Sequence, residues 1–289
     1  MAQPEFSATP PDIIALALAE DIGPGDVTAR WFTKPGATAT ARIIARQACC
    51  LAGTATAAET FRRVHPGLQI EIHHPDGTPL EKNACAITIR GPAAPILTAE
   101  RTALNFIQRL SGVATLARKF VDAIAGTGAK ILDTRKTTPG LRLLEKAAAA
   151  AGGATNHRLG LHDMAMVKDN HLATGLDPAT LQEMVDRFRE ANPRLRVELE
   201  ADTPAQATKF FALRGIDVVL LDNMTPAELR ECARLRPSGI ALEASGGATL
   251  ETVRAIAETG VDFISVGAIT HSAPAIDFAL DFEPSPGPA

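Results

Sequence analysis

The chain has 289 residues, a formal net charge of −4, 46% hydrophobic and 21% charged residues. That is the balance of a globular protein of one or two domains, and the absence of a basic excess argues against a general nucleic-acid binder. Four cysteines without CxxC or zinc-like spacing, an N-terminus without a secretory pattern and no apolar run of membrane-spanning length point to a reduced, cytoplasmic protein with no membrane partner.

The spacing predicts a helix over 11–23, a strand over 40–53 ending at Gly53, a helix over 54–65 and a strand over 68–74. A turn over 75–79, a strand over 85–91 and a long helix over 94–112 follow. This mixture reads as an α+β domain over 1–112, joined by 274–289, while the last residues, "EPSPGPA", are expected to be disordered. After Gly112 the rhythm changes. Strands are expected over 129–133, 164–168, 195–200, 217–222, 239–244 and 262–266, with helices such as 178–191, 204–213, 226–235 and 248–259 between them, so 113–273 reads as a parallel-sheet domain. Most strands end in polar or Gly-containing sequence: Asp133 to Lys136, Lys168, Glu200, Asp222, Glu243 with Ser245, and Gly267. A doubly wound sheet gathers its function at one switch point, whereas a barrel mouth draws on every loop. The expected fold is α/β: an incomplete (β/α) barrel of about six strands with an N-terminal α+β sandwich-like domain.

The segment "LDTRKTTPGLR" (131–141) turns from apolar strand to cationic loop and suits a multiply charged anion; the plainer alternative is a strand ending in solvent. From Thr134 to Lys168 there are six basic residues against two acids. "EASGG" and "SVGA" place Ser245, Gly246, Gly247 and then Val266, Gly267, Ala268 in consecutive late loops. Glycines expose backbone N–H groups and a following helix adds its dipole, so these loops suggest a phosphate pocket. Lys168 ends the apolar run "MAMVK", so Lys168 or Lys136 could also be the amine of a Schiff-base lyase. His157 lacks a second ligand at metal spacing, and His162 and His171 read as loop or supporting residues. Glu200 and Asp222 could be general bases or could orient a Mg²⁺ carried by a pyrophosphate; salt bridges to nearby lysines are compatible with either.

Together, "LDTRKTTPGLRLLEK…GGATNHRLGLHDMAMVKDNH", "VELE", "VLLDNM", "EASGG" and "SVGAITHS", with "EDIGPGDVT" and "ERTALNFIQRLSG", resemble the quinolinate phosphoribosyltransferase family over nearly the whole chain. The chain departs from the family pattern at Ala154, where a third glycine is more usual, and in the alanine run 147–151. The resemblance implies phosphoribosyl transfer from phosphoribosyl pyrophosphate (PRPP) to quinolinate with decarboxylation, in NAD biosynthesis. It implies that Arg135, His157, Arg158, Lys168 and a partner-supplied Arg101 hold the quinolinate carboxylates. By the same resemblance Lys136 faces the pyrophosphate, Thr134 contributes to PRPP binding, and Glu200 and Asp222 position the ribose hydroxyls and Mg²⁺. The loops carrying Ser245, Gly246, Gly247, Val266, Gly267 and Ala268 would take the 5′-phosphate. Lys136, Lys168, Glu200 and Asp222 are the implied catalytic residues, in a homodimer with shared active sites. Three alternatives stand beside it: a related phosphoribosyltransferase for another acid, including forms associated with molybdate transport; a Schiff-base aldolase; and a non-catalytic nucleotide-binding regulator.

Overall fold

The computed structural model describes residues 12–168, 171 and 177–283, so the N-terminal eleven residues and the tail after Glu283 lie outside it. In chain order the elements are α1 Ile13–Ile22, α2 Val27–Phe32, β1 Thr38–Ala45, β2 Cys49–Cys50, α3 Thr54–Val64, β3 Gln69–Ile72, β4 Pro79–Leu80, β5 Cys85–Pro92 and α4 Ala93–Ala123. Next come β6 Lys130–Leu132, α5 Arg142–Ala151, β7 Met164–Val167, α6 Pro178–Ala191, β8 Arg196–Ala201, α7 Pro204–Phe211 and β9 Val218–Asp222. The last are α8 Pro226–Leu235, β10 Ala241–Ser245, α9 Val253–Ala257, β11 Phe263–Ser265, α10 Ala268–His271 and β12 Phe278–Phe282. Among the described residues no helix is long and apolar enough to cross a membrane.

One unit comprises the described residues up to Thr115, Thr138–Ala151 and those from Pro274 onward. Its antiparallel sheet has the order β12-β1-β5-β3. Strand alternation explains its core: β1 buries Ala41, Ile43 and Ala45 while Arg42 faces out. Ile43 pairs with Ile87 of β5 and Leu280 of β12, and Phe61 of α3 with Ile96, Leu104 and Ile107 of α4 completes the same core. The strand expected over 40–53 is split, because Cys49–Cys50 leave β1 and pair with β4.

The helix expected to stop at Gly112 continues to Ala123. Gly112 is there for proximity rather than for a turn, since an added Cβ would lie 2.2 Å from the Pro274 carbonyl oxygen. The segment 138–151, which the sequence reading leaves in the second domain, groups with the first unit. There the buried carboxylate of Glu145 accepts from Arg109 at 2.8 Å and from the Thr138 N–H at 2.9 Å.

The other unit, Leu116–Thr137 with Gly152–Ala273, holds a six-stranded parallel sheet of order β6-β11-β10-β9-β8-β7. From β7 to β11 each strand pairs with its successor in the chain, and β6, the first, lies beside β11, the last. That is the cyclic order of a barrel with one pairing missing, between β6 and β7. Thr155 partly fills the seam: its N–H donates to Ile131 O at 2.8 Å, and its carbonyl accepts the Asp133 N–H at 3.1 Å. Helices α6, α7 and α8 each begin on Pro behind an Asp or Thr cap, which satisfies the first-turn N–H groups. The helix expected over 248–259 shrinks to the five residues of α9, as the Thr252 hydroxyl takes the Thr249 N–H at 2.9 Å and holds the preceding residues in a turn.

Candidate active site

Alternate residues of the parallel strands point inward, and those nearest the C-terminal strand ends line a cavity of about 300 Å³. Met166 and Lys168 come from around β7, Glu200 from β8, Leu220 and Asp222 from β9, Glu243 and Ser245 from β10, and Ser265 from β11. The loop after β6 adds Thr134, Arg135 and Lys136, and the seam segment adds His157 and Arg158. Arg135, Lys136, His157, Arg158, Lys168, Glu200, Asp222 and Glu243 therefore meet in one cavity, whereas Asp133 and Asp163 are not among its lining residues. Of the six basic residues counted between 134 and 168, Arg142 and Lys146 do not line it either: both sit on α5 in the other unit. Gly246, Gly247, Val266 and Gly267 follow in the loops after β10 and β11 and Ala268 opens α10; none of the five is among the residues lining this cavity. Arg101 is an exposed residue of α4 in the first unit.

The loops are held by specific bonds. Thr134 Oγ1 accepts the Lys136 N–H at 3.0 Å, and the Thr270 hydroxyl donates to the Lys136 carbonyl at 2.8 Å. Gly246 has φ +94°, and a Cβ there would fall 2.1 Å from Asn223 Oδ1. This glycine is required both by conformation and by close approach. Its loop does not run into a long helix, so the expected dipole contribution to phosphate binding is absent there: α9 starts only at Val253 and spans five residues. Asn223 in turn donates to Asp222 Oδ2 at 2.6 Å.

The charges fall into two groups. Lys168 is ion-paired with Glu200, which speaks against Lys168 as a neutral amine nucleophile. Arg158 lies close enough to Arg135 for each charge to disfavour the other; burial, the larger cause, and this repulsion lower its pKa. Its guanidinium has only long contacts, 3.4 Å to the Met164 carbonyl and 3.4 Å to Met166 Sδ, and among the described residues it has no carboxylate within ion-pair distance. It is a cation left available for a ligand anion.

His157 and Glu243 of this cavity also belong to a buried grouping that the sequence reading did not anticipate. Glu198, Glu243 and Asp133 are 0%, 2% and 0% exposed. His157 Nε2 sits 3.4 Å from Glu198 and 3.3 Å from Glu243, while its Nδ1 accepts the Arg158 N–H at 2.7 Å. Burial opposes charging this ring, but the two carboxylates outweigh it and raise its pKa to about 9. At 2.7 Å, however, two N–H groups cannot face each other, so a second ring proton requires that the Arg158 bond be released. Asp133 accepts from the His157 N–H at 2.8 Å and from Asn156 Nδ2 at 2.6 Å. The parity of "RVELE" held the signal: Glu198 lies two residues before Glu200 and faces the same interior.

Two family models cover the chain: Quinolinate phosphoribosyl transferase, N-terminal domain, over residues 26–111, and Quinolinate phosphoribosyl transferase, C-terminal domain, over 113–281. The chain belongs to the quinolinate phosphoribosyltransferase family. It is 42% identical over 263 residues to the Bacillus subtilis (strain 168) protein named probable nicotinate-nucleotide pyrophosphorylase (carboxylating), covering 91% of this chain and 89% of that one. The Mycobacterium leprae (strain TN) nicotinate-nucleotide pyrophosphorylase (carboxylating) is 38% identical over 283 residues, covering 96% and 98%. Among solved structures, the nicotinate-nucleotide pyrophosphorylase from Francisella tularensis superposes with a TM-score of 0.87 at 37% identity, covering 94% of this chain and 95% of that one. Ala154, the departure from the family's more usual glycine, is buried in this chain and carries no charge into the cavity.

Proposed function

We propose that this chain transfers the phosphoribosyl group of PRPP to the ring nitrogen of quinolinate and releases CO2, giving nicotinate mononucleotide and pyrophosphate. The observation that carries this reading is the Arg158 guanidinium. Among the described residues it has no carboxylate within ion-pair distance, and it stands beside Arg135 in a cavity shared with Lys136 and Lys168. Two arginine forks close together suit a planar ring bearing two adjacent carboxylates, because each fork can bond both oxygens of one carboxylate. A single carboxylate, as in nicotinate, would leave one half-buried cation unmatched.

Departure of pyrophosphate leaves the ribose C1 oxocarbenium-like. Glu200 and Asp222 stabilise that developing positive charge, and Lys136 stabilises the departing anion. The quinolinate nitrogen then bonds to C1 and the ring becomes a pyridinium. Positive nitrogen next to C2 stabilises the carbanion left when the C2 carboxylate departs as CO2, and a proton on C2 completes nicotinate mononucleotide. The two carboxylate groups, all-oxygen donors on adjacent strands, suit a hard cation; Mg²⁺ entering with PRPP would neutralise pyrophosphate charge there. Ser245 and the glycine loops after β10 and β11 are proposed to receive the 5′-phosphate. Arg101 is proposed to reach the site of a partner subunit, so that the working form is a homodimer. The four cysteines form no disulfide, in keeping with a reducing, cytoplasmic setting.

The test is calorimetry with quinolinate and, separately, nicotinate. Quinolinate should bind and nicotinate should bind at least about tenfold more weakly, the size of a lost charge-assisted hydrogen bond. Equal affinity for the two acids would remove the dicarboxylate reading.

A further inference from the structure

The seam between β6 and β7 is partly filled by the segment that carries Thr155, His157 and Arg158, and buried carboxylates hold this segment. Barrel interiors are ordinarily filled by branched apolar side chains. Two interior glutamates are expensive unless each has a partner. Glu243 has one in the Ser265 hydroxyl, which donates to Oε1 at 2.5 Å. Among the described residues neither oxygen of Glu198 has a hydrogen-bond partner, and the nearby charged group it faces is His157 Nε2 at 3.4 Å. The imidazole is therefore gripped on one side by both carboxylates, and on the other side it holds the backbone N–H of Arg158. The Arg158 guanidinium itself has only weak contacts, so its place is set mainly through this backbone bond.

We infer that Glu198 and Glu243 are positioning residues that set the Arg158 guanidinium for the substrate's carboxylate by clamping His157 in the barrel seam. This rests on the quinolinate reading of the cavity. The same three side chains, His157, Glu198 and Glu243, offer ligand atoms within 4.8 Å of one another, which a divalent cation could also use. The positioning role instead needs a proton on Nε2, shared toward the two carboxylates, and so excludes a metal at that nitrogen.

Glu198→Gln and Glu243→Gln keep the side-chain shape and remove the charge. Each should raise the quinolinate KM about tenfold while the PRPP KM and kcat stay within about twofold. In an Arg158→Ala background the additional effect of either change on the quinolinate KM should largely vanish, because both act through Arg158. A general loosening of the fold would instead lower kcat and raise both KM values, with or without Arg158, and would overturn the inference. So would stoichiometric Zn²⁺ binding to the wild type that is lost in His157→Ala. Wild-type turnover separates the two levels: no turnover of quinolinate defeats the proposed function, whereas turnover with unaltered KM in both glutamine variants defeats only the positioning role.

Discussion

Lys136 is the residue on which turnover should depend most. It lines the cavity beside Arg135, with its carbonyl tied by Thr270 and its N–H by Thr134. Lys136→Ala should reduce kcat by several hundredfold, the loss of about 3–4 kcal/mol expected when one transition-state contact to charge is removed, with little change in quinolinate affinity. Near-wild-type kcat at saturating substrates would disprove the role. Glu198 yields a second residue-level prediction, on stability. Burial raises its pKa, reinforced by Glu243 and opposed by His157. A folded-state pKa above the unfolded one stabilises fully below the ordinary carboxylate range, and that contribution is lost as pH rises through the raised value. Glu198→Gln has no such ionisation, so its Tm relative to wild type should rise between about pH 5 and about pH 8. A pH-independent difference in thermal unfolding would contradict this. Residues that end strands were legible in the sequence because polar groups there interrupt apolar runs. Glu198 and Asn156 were not, since a carboxylate inside a strand and an amide in a loop acquire meaning only once the fold sets Glu198 against His157 and Asn156 against Asp133.

At the level of elements, the strands of the parallel sheet were read from their apolar runs, and all six expected ranges overlap their strands, each missing at most one strand residue. Gly112 misled, because glycine signals a helix end when only sequence is visible. Its actual constraint is the Pro274 carbonyl, a residue far along the chain. Gly112→Ala should therefore destabilise the protein by about 1–3 kcal/mol despite alanine's better helix propensity, measurable as a lowered denaturant midpoint. A stabilised variant would mean that the Pro274 approach is not fixed. Strand β12 was invisible for the same reason: five residues, "FALDF", have too little pattern until β1 offers them an edge. The alanine-rich α5 has high helix propensity but no long apolar stripe, and its place follows from the Glu145 bonds to Arg109 and Thr138.

For the whole molecule the central claims are a shared site and a decarboxylating transfer. If Arg101 serves a partner's site as proposed, Arg101→Ala and Lys136→Ala should each be nearly inactive alone. Refolded together, a mixed dimer carries one site with both defects and one with neither, so about a quarter of all sites should recover under two-fold symmetry. No recovery, with mixed dimers confirmed by native mass spectrometry, would place Arg101 outside the partner's site. The most direct measurement uses quinolinate labelled with ¹³C in the C2 carboxylate, mixed with PRPP and Mg²⁺ and followed by NMR. One labelled CO2 should appear for each pyrophosphate and each unlabelled nicotinate mononucleotide. Pyrophosphate release with the label kept on the nucleotide, or no product under conditions where both substrates bind, would contradict the account.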